Sequence, residues 1–276
     1  MNALRRLILL CYFVAATLPL GWMVVTSIKR QEDAISLSPQ KALAFTPSLE
    51  GFRRLSEVHV GAEESFWEHL RDSTIIGLCS TAASVALGTL AAYGFSRHPI
   101  PGSKDWLFFI LSTRFMPPLA VVVPVLFMYR ELGLQGTHFG LILLYTAFNL
   151  SLSVWLMKGF IDEIPRAFKK ATLVDGYTRL QTFRRVILPQ ARTGMAVTAV
   201  FCLISAWNEY GFAMTLNSSG ALTVPAYFAG LQGNLDGMPW PQVAAGALIF
   251  VAPIVVFTIV VRKHLLRGMT FGTIKQ

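Results

Sequence analysis

Arg114 and Glu209 are ionisable residues set inside long apolar runs. A charge at such a depth in hydrocarbon is costly, and it usually faces a cavity or an opposite charge. Tyr145, Asn149, Trp207, Asn208 and Tyr210 stand in the same or neighbouring apolar runs. A guanidinium, a carboxylate and two amides could line a polar pathway, offering donors and acceptors to the hydroxyls of a small solute. The aromatic faces could stack on its C–H surfaces. Each residue alone also has a plainer use: Trp207 and Tyr210 in packing or at a lipid interface, Asn208 in an interhelical hydrogen bond. An Arg114–Glu209 ion pair is the narrower expectation. At 1.5 Å per helical residue, Arg114 lies roughly 12 Å and Glu209 roughly 24 Å from the same membrane face. Pairing therefore requires the arginine to climb or its helix to break at Pro117, and the unpaired arrangement is favoured.

Signatures of other chemistry are missing from the sequence. No His-Glu-x-x-His or Gly-x-Ser-x-Gly pattern occurs, and the five histidines (His59, His69, His98, His138, His264) are scattered. There is no Gly-x4-Gly-Lys-Ser/Thr phosphate loop, so nucleotide does not bind this chain by that route. Cys11, Cys79 and Cys202 lie in apolar stretches without Cys-x-x-Cys spacing and read as small buried hydrophobes.

Composition dictates the elements that must hold the polar residues. The 276 residues are 54% hydrophobic and 14% charged, against about 25% charged in soluble domains; mean hydropathy is +0.53. These values exclude a disordered chain and disfavour a soluble enzyme. The expectation is an all-α membrane protein with six transmembrane helices, each needing about 20 apolar residues. The runs are Leu7–Ile28, Ser73–Phe95, Trp106–Tyr129, Phe139–Met157, Thr193–Leu216 and Val243–Val261. A cleaved signal peptide is the rival for the first, but a run of about 22 residues exceeds the usual signal core and favours a retained helix. The second, with Ser80-Thr81-Ala82-Ala83-Ser84, suits close approach to other helices. Arg114 and Pro117-Pro118 interrupt the third.

The net charge of +9 could suggest nucleic acid, yet its distribution favours topology. With both termini cytoplasmic, sixteen Lys/Arg fall inside and seven outside, as the positive-inside rule requires. Lys29-Arg30 alone pulls the other way. Residues 1–28 then form an N-terminal spanning helix and 29–71 an extracytoplasmic loop with some helix, too poor in apolar residues to be a separate domain. Residues 72–262 form the transmembrane core and 263–276 a cytoplasmic tail. Asn217–Pro241 is a second, turn-rich outer connection.

Eight of the basic residues fall from Lys158 to Arg192, and the cytoplasmic stretch 160–190 within that span holds two helix signals. Asp162 can cap a helix with Pro165 in its first turn. Ile164, Phe168, Ala171 or Thr172 and Asp175 share a face, and Gly176 is a C-terminal stop. Thr178 with Gln181 makes a capping-box pattern, Leu180, Phe183 and Ile187 form an apolar stripe, and Pro189 is expected to end this second helix. Two short amphipathic helices at a bend make a knob that could enter a partner's groove. A basic loop lying on lipid headgroups is the plainer alternative.

At these residues the chain resembles a known family. Lys170-Ala171-Thr172, Gly176 and Val186-Ile187-Leu188-Pro189, with Asp175 before the glycine, stand in the register of a motif of binding-protein-dependent ABC importer permeases. That motif reads Glu-Ala-Ala, three residues, Gly, nine residues, Ile, any residue, Leu-Pro. Lys170 stands where the family has Glu, and Thr172 where it usually has Ala. Gly88-Thr-Leu-Ala-Ala-Tyr-Gly-Phe-Ser-Arg97, Pro117-Pro118 with Val123-Pro124, Trp207-Asn208-Glu209-Tyr210 and a basic tail ending Phe271-Gly272-Thr273 are similar to the carbohydrate-uptake branch of maltose, glycerol and polyol permeases. The resemblance therefore covers most of the chain.

It implies a type I ABC importer permease, multi-pass in the bacterial inner membrane, translocating a sugar, polyol or similar small polar solute. A solute-binding protein would deliver that solute at Asn217–Pro241. The implied partners are a second permease subunit, expected as a heterodimer, and two ATPase subunits that hold ATP and magnesium. No cofactor belongs to this chain, and lipid rather than nucleic acid surrounds it. Phe168, Lys170, Ala171, Thr172, Asp175, Gly176 and Pro189 are the implied ATPase-coupling residues; none is catalytic. The family Glu is thought to meet a basic group on the ATPase. Lys170 then implies an acidic partner or a mainly apolar contact, unless it is simply one more inside lysine. The alternative class, a secondary transporter or channel subunit, would usually need more spans, inverted repeats or a titratable relay. One Arg and one Glu make a thin relay.

Overall fold

The structure is a computed structural model that describes residues 3–36, 38, 40–41, 44–58, 64–217, 220–231 and 237–270, with the side chains of Ala3, Leu119 and 263–270 outside that description. His59, Ser218-Ser219, Gly233-Asn234-Leu235-Asp236, the side chain of His264 and Phe271-Gly272-Thr273 thus lie outside the described residues. Among the described residues all regular structure is helical. Five stretches are long and apolar enough to cross a membrane: Leu4–Ser27, Phe66–Arg97, His138–Glu163, Arg179–Trp207 and Trp240–Arg262. A sixth is a helix pair, Ser103–Phe115 and Ala120–Glu131, bent by 93°.

The chain divides into two compact units, Met1–Arg71 with Val224–Pro253, and Asp72–Thr223 with Ile254–Gln276. In the first, α1 (Ala3–Ser27) carries an apolar surface without protein cover: Tyr12 is 76% and Phe13 63% exposed, as suits a helix in hydrocarbon. Short helices α2 (Gln31–Ala34) and α3 (Glu50–Arg54) follow. They share this unit with the first turn of α4 (Phe66–Arg97) and with α12 (Val224–Gly230). Phe66 is fully buried beside the rings of Tyr227 and Phe228, at 5.7 and 6.1 Å. Gln242, in the first turn of α13 (Trp240–Thr270), donates to the Tyr227 hydroxyl at 2.8 Å and to the Arg54 carbonyl at 3.3 Å.

The second unit holds most of α4, α5 (Ser103–Ser112), α6 (Pro118–Glu131) and α7 (His138–Glu163). It continues with α8 (Arg166–Val174), α9 (Arg179–Thr182), α10 (Leu188–Trp207) and α11 (Gly211–Leu216). Small residues set its packing. A Cβ added to Gly88 would fall 2.6 Å from the Ser153 Cβ, and one on Gly194 would fall 2.5 Å from the Phe160 ring. Neither position accepts a larger residue without displacing α7, the close approach that small residues permit between membrane helices.

One expectation is met and three are corrected. The third span is interrupted where Arg114 and Pro117-Pro118 stand: a 3₁₀ turn at Thr113–Phe115 ends in extended Met116 and Pro117 before α6. Each proline disfavours helical geometry in the residue before it, and the two in succession favour a break. The fifth span also breaks, between α10 and α11 at Asn208-Glu209-Tyr210. Asn208 competes with the helix ladder, its side chain donating to the Ile204 carbonyl at 2.8 Å. Pro189 does not end the second helix of the knob. Phe183–Ile187 forms a π-helical turn, with the Leu188 amide bonded to the Phe183 carbonyl, and Pro189 sits in the first turn of α10. The wider turn lets the chain pass a residue that lacks a donor and would crowd an α-helical carbonyl. Finally, Asp162 caps no helix start; it lies in the last turn of α7, and Pro165 occupies the N-cap position of α8 without a side-chain cap.

Candidate functional site

Arg114 and Glu209 both stand at helix breaks of the second unit, and both line one cavity of about 240 Å³. That is room for roughly eight waters at about 30 Å³ each. Irregular backbone at membrane depth is tolerated where it lines a cavity or is buried in protein, and the two breaks satisfy that condition at the same place. Arg114 donates to the Phe148 carbonyl at 3.3 Å, the Asn149 amide oxygen at 3.5 Å and the Ser205 hydroxyl at 3.1 Å. These are neutral acceptors at long range, and the guanidinium carries five donors.

Glu209 is held differently. Its carboxylate accepts the Tyr145 hydroxyl at 2.5 Å and the backbone amides of Phe212 at 2.9 Å and Ala213 at 3.3 Å. The amides are the orphan donors at the start of α11, where a negative charge is favoured. No ion pair joins Arg114 and Glu209 among the described residues, which follows from these separate partners. Asn149, 2% exposed, links the two walls by accepting from Arg114 and donating to the Cys202 carbonyl at 3.3 Å.

Of the pathway candidates, the structure brings Arg114, Tyr145, Asn149 and Glu209 together at the cavity. Trp207, Asn208 and Tyr210 are not among its lining. Trp207 is 3% exposed and closes on Gly77, whose added Cβ would lie 3.2 Å from the indole. Asn208 terminates α10, and Tyr210 is exposed beyond it. Ser205, Phe148, Met116, Pro118, Ala206 and Phe212 complete the lining. Ser205 was legible in principle, one helical turn before Glu209, but a serine in an apolar run carries no distinguishing signal. A larger groove of about 550 Å³ between α5 and α7 is mostly apolar, and two of its charged residues, Lys158 and Asp162, pair with each other.

At the other end of the unit, α8 and α9 form the expected knob. The Tyr177 amide bonds to the Thr172 carbonyl at 2.9 Å and the Gly176 amide to the Leu173 carbonyl at 3.2 Å, with Gly176 at φ +81°. This is a Schellman ending, which needs glycine at the left-handed position. Thr178 accepts from the Gln181 amide at 3.2 Å while the Gln181 side chain accepts from the Thr178 amide at 2.8 Å, completing the capping box. The hydroxyls of Thr172 and Thr182, both buried, meet at 3.0 Å and pin the two helices together. Lys170, Ala171 and Asp175 are exposed, as are the apolar Phe168 (45%), Val174 (87%) and Leu180 (61%).

Basic side chains crowd the base of the knob. Lys169 is held below its usual range by burial first, then by Arg179, Arg97 and Arg166. His98 is likewise pushed down by burial, then by Lys169 and Arg179.

Residues 84–270 match the family described as binding-protein-dependent transport system inner membrane component. The chain belongs to that family: it is a membrane permease of the ABC transporter class. It is 32% identical over 262 residues (94% of this chain, 93% of the relative) to the trehalose transport system permease protein SugB of Mycobacterium tuberculosis. It is 30% identical over 259 residues (93% and 91%) to the trehalose/maltose transport system permease protein MalG of Thermococcus litoralis. Among solved structures, it shares its fold with a chain of a bacterial ABC transporter importing the acidic polysaccharide alginate, at a TM-score of 0.75 and 21% identity over 94% of each chain. The MetNI methionine ABC transporter in an inward-facing form matches at a TM-score of 0.55, covering 74% of this chain and 93% of that one, at 19% identity.

Proposed function

We propose that this chain is the permease subunit of an ATP-driven importer in the bacterial inner membrane, translocating a sugar, polyol or similar small polar solute. One observation carries the reading: two apolar spans are broken at the same cavity, and the breaks present Arg114, Asn149, Ser205 and Glu209 to it. Discontinuous helices whose ends face a cavity are how transporters build polar sites inside hydrocarbon. Hydroxyl-rich solutes match this mixture of cationic donors, amides and hydroxyls. The relatives named for trehalose and maltose transport support a carbohydrate.

Both termini lie in the cytoplasm in this reading, so the knob Arg166–Ile187 meets the ATPase. Its exposed Phe168, Val174 and Leu180 supply an apolar docking face, with Lys170, Ala171, Thr172, Asp175, Gly176 and Pro189 shaping it. A solute-binding protein delivers the solute from outside, and a second, non-identical permease subunit completes the pathway. Two ATPase subunits supply ATP and magnesium, and this chain holds no cofactor. Nucleotide binding and hydrolysis there bias an inward–outward equilibrium here.

The test is to co-purify the chain with its genomic neighbours and reconstitute the assembly. ATP-dependent uptake of labelled trehalose or maltose, requiring the binding protein, is the expected result. Proton-driven uptake by this chain alone would overturn it.

A further inference from the structure

Resting on the importer reading, we infer that Arg97 is the positioning residue through which the knob moves the cavity wall. Arg97 is the last residue of α4 and is 9% exposed. Its guanidinium donates to two carbonyls at the C-terminal end of α7: that of Ile161 at 2.6 Å, and that of Ile164. Its own carbonyl accepts the Lys169 ammonium of α8 at 2.8 Å. One residue thus joins three helices, two through its side chain and backbone at once.

The neighbouring contacts reinforce the same joint. Ser96 donates to Asp162 of α7 at 2.5 Å, and Tyr93, one turn earlier on α4, lies 4.8 Å ring to ring from Phe183 of the π turn. Ala92, Tyr93, Met157, Ile161, Ile164, Phe183 and Ile187 pack as one buried cluster around it. Coupling between distant sites is carried by packed side chains and rigid secondary elements. The element here is α7, which Arg97 grips at its Ile161–Ile164 end and which carries Tyr145 and Asn149 of the cavity some four turns away. A displacement of the knob pulls on Lys169, reaches Arg97 and is delivered to α7 as a rigid helix. Cutting this joint leaves the knob able to dock and the cavity able to bind, while severing one from the other.

The experiment compares wild type, Arg97→Gln and Arg97→Lys in the co-purified transporter, with two readouts. Hydrogen exchange in Arg97→Gln is expected to quicken across Arg166–Ile187 and leave Pro118–Glu131 unchanged. In liposomes, ATP hydrolysis is expected to persist while sugar imported per ATP falls on the order of tenfold, with Arg97→Lys recovering part. The sugar used is whichever of trehalose or maltose the wild type imports. Unaltered exchange overturns the inference, as does a constant sugar-to-ATP ratio with both rates tracking the complex recovered. If wild type drives no import with ATP, the importer reading itself fails and the coupling role with it. The exchange readout then still reports separately on whether Arg97 anchors the knob.

Discussion

Two arginines of the second unit, Arg97 and Arg114, stand at opposite extremes of how a protein holds a charge. Arg97 is buried, and its closest contacts are carbonyls at a helix C-terminus, where the peptide dipoles concentrate negative potential. Arg114 is exposed to its cavity and touches neutral acceptors at 3.1–3.5 Å. Short, dehydrated contacts resist exchange for water; long contacts to neutral groups are readily traded for a better partner. The first arrangement suits a joint, the second a surface that meets a passing solute. The acids repeat the contrast from the other side: Asp162 serves the joint through Ser96 and Lys158, while Glu209 holds the cavity's backbone break together.

The sharpest way to break this contrast is to delete each arginine. Arg97→Ala leaves the Ile161 and Ile164 carbonyls without their donor in a buried position, and is expected to cost about 3 kcal/mol, read as a lowered unfolding temperature of the purified chain. Arg114→Ala is expected to change stability by less than about 0.5 kcal/mol yet to lower uptake about tenfold. Equal stability losses at the two sites would erase the distinction drawn here.

Glu209→Gln sharpens the cavity side. The amide oxygen can still accept from Tyr145 or from the start of α11, but the charge that both favour is gone. The expected stability cost is about 1 kcal/mol, with reduced uptake. Wild-type folding and transport in this variant would show that the charge has no role.

Lys170→Glu probes the knob's outer face, since Lys170 is exposed and belongs to no joint. Stability should stay within about 0.5 kcal/mol, while ATP-driven uptake weakens as charge complementarity with the ATPase is lost. Unchanged uptake would mean the docking contact is apolar.

The smallest effect expected is a pH dependence at the joint. His98 is pushed below its ordinary value by burial and by Lys169 and Arg179, so its folded state resists a proton that the unfolded chain takes up near about pH 6.5. Its contribution is complete above that pH and is lost as pH falls below it. Unfolding temperature should decline from pH 7.5 to 5.5 and lose part of that slope in His98→Gln.

Features governed by local chemistry were the ones legible in advance. The Gly176 stop and the Thr178–Gln181 capping box depend on residues within six positions of one another, and each formed as its spacing requires. The long apolar runs likewise announced helices at α1, α4, α7 and α13. The misreadings arose where a local rule met a tertiary alternative. Pro189 is a helix breaker by its own chemistry, but a π turn absorbed it because Phe183 and Ile187 are anchored in a buried cluster. Trp207 admitted both solute stacking and packing from the sequence, and its burial against Gly77 fits the packing use.

The sequence by itself determined that this chain lives in a membrane, that its apolar runs are helices, and which few polar residues are anomalous there. Those properties follow from hydrophobicity, backbone sterics and hydrogen bonds closed within a turn or two. Only the tertiary structure decided that Arg114 and Glu209 share a cavity without pairing, and that Arg97 clasps α7 to the knob. Those contacts join residues 53 to 91 positions apart (Arg97 with Ile161, Arg114 with Ser205, Tyr145 with Glu209, Asn149 with Cys202). No periodicity encodes such pairings, because each depends on how whole helices pack.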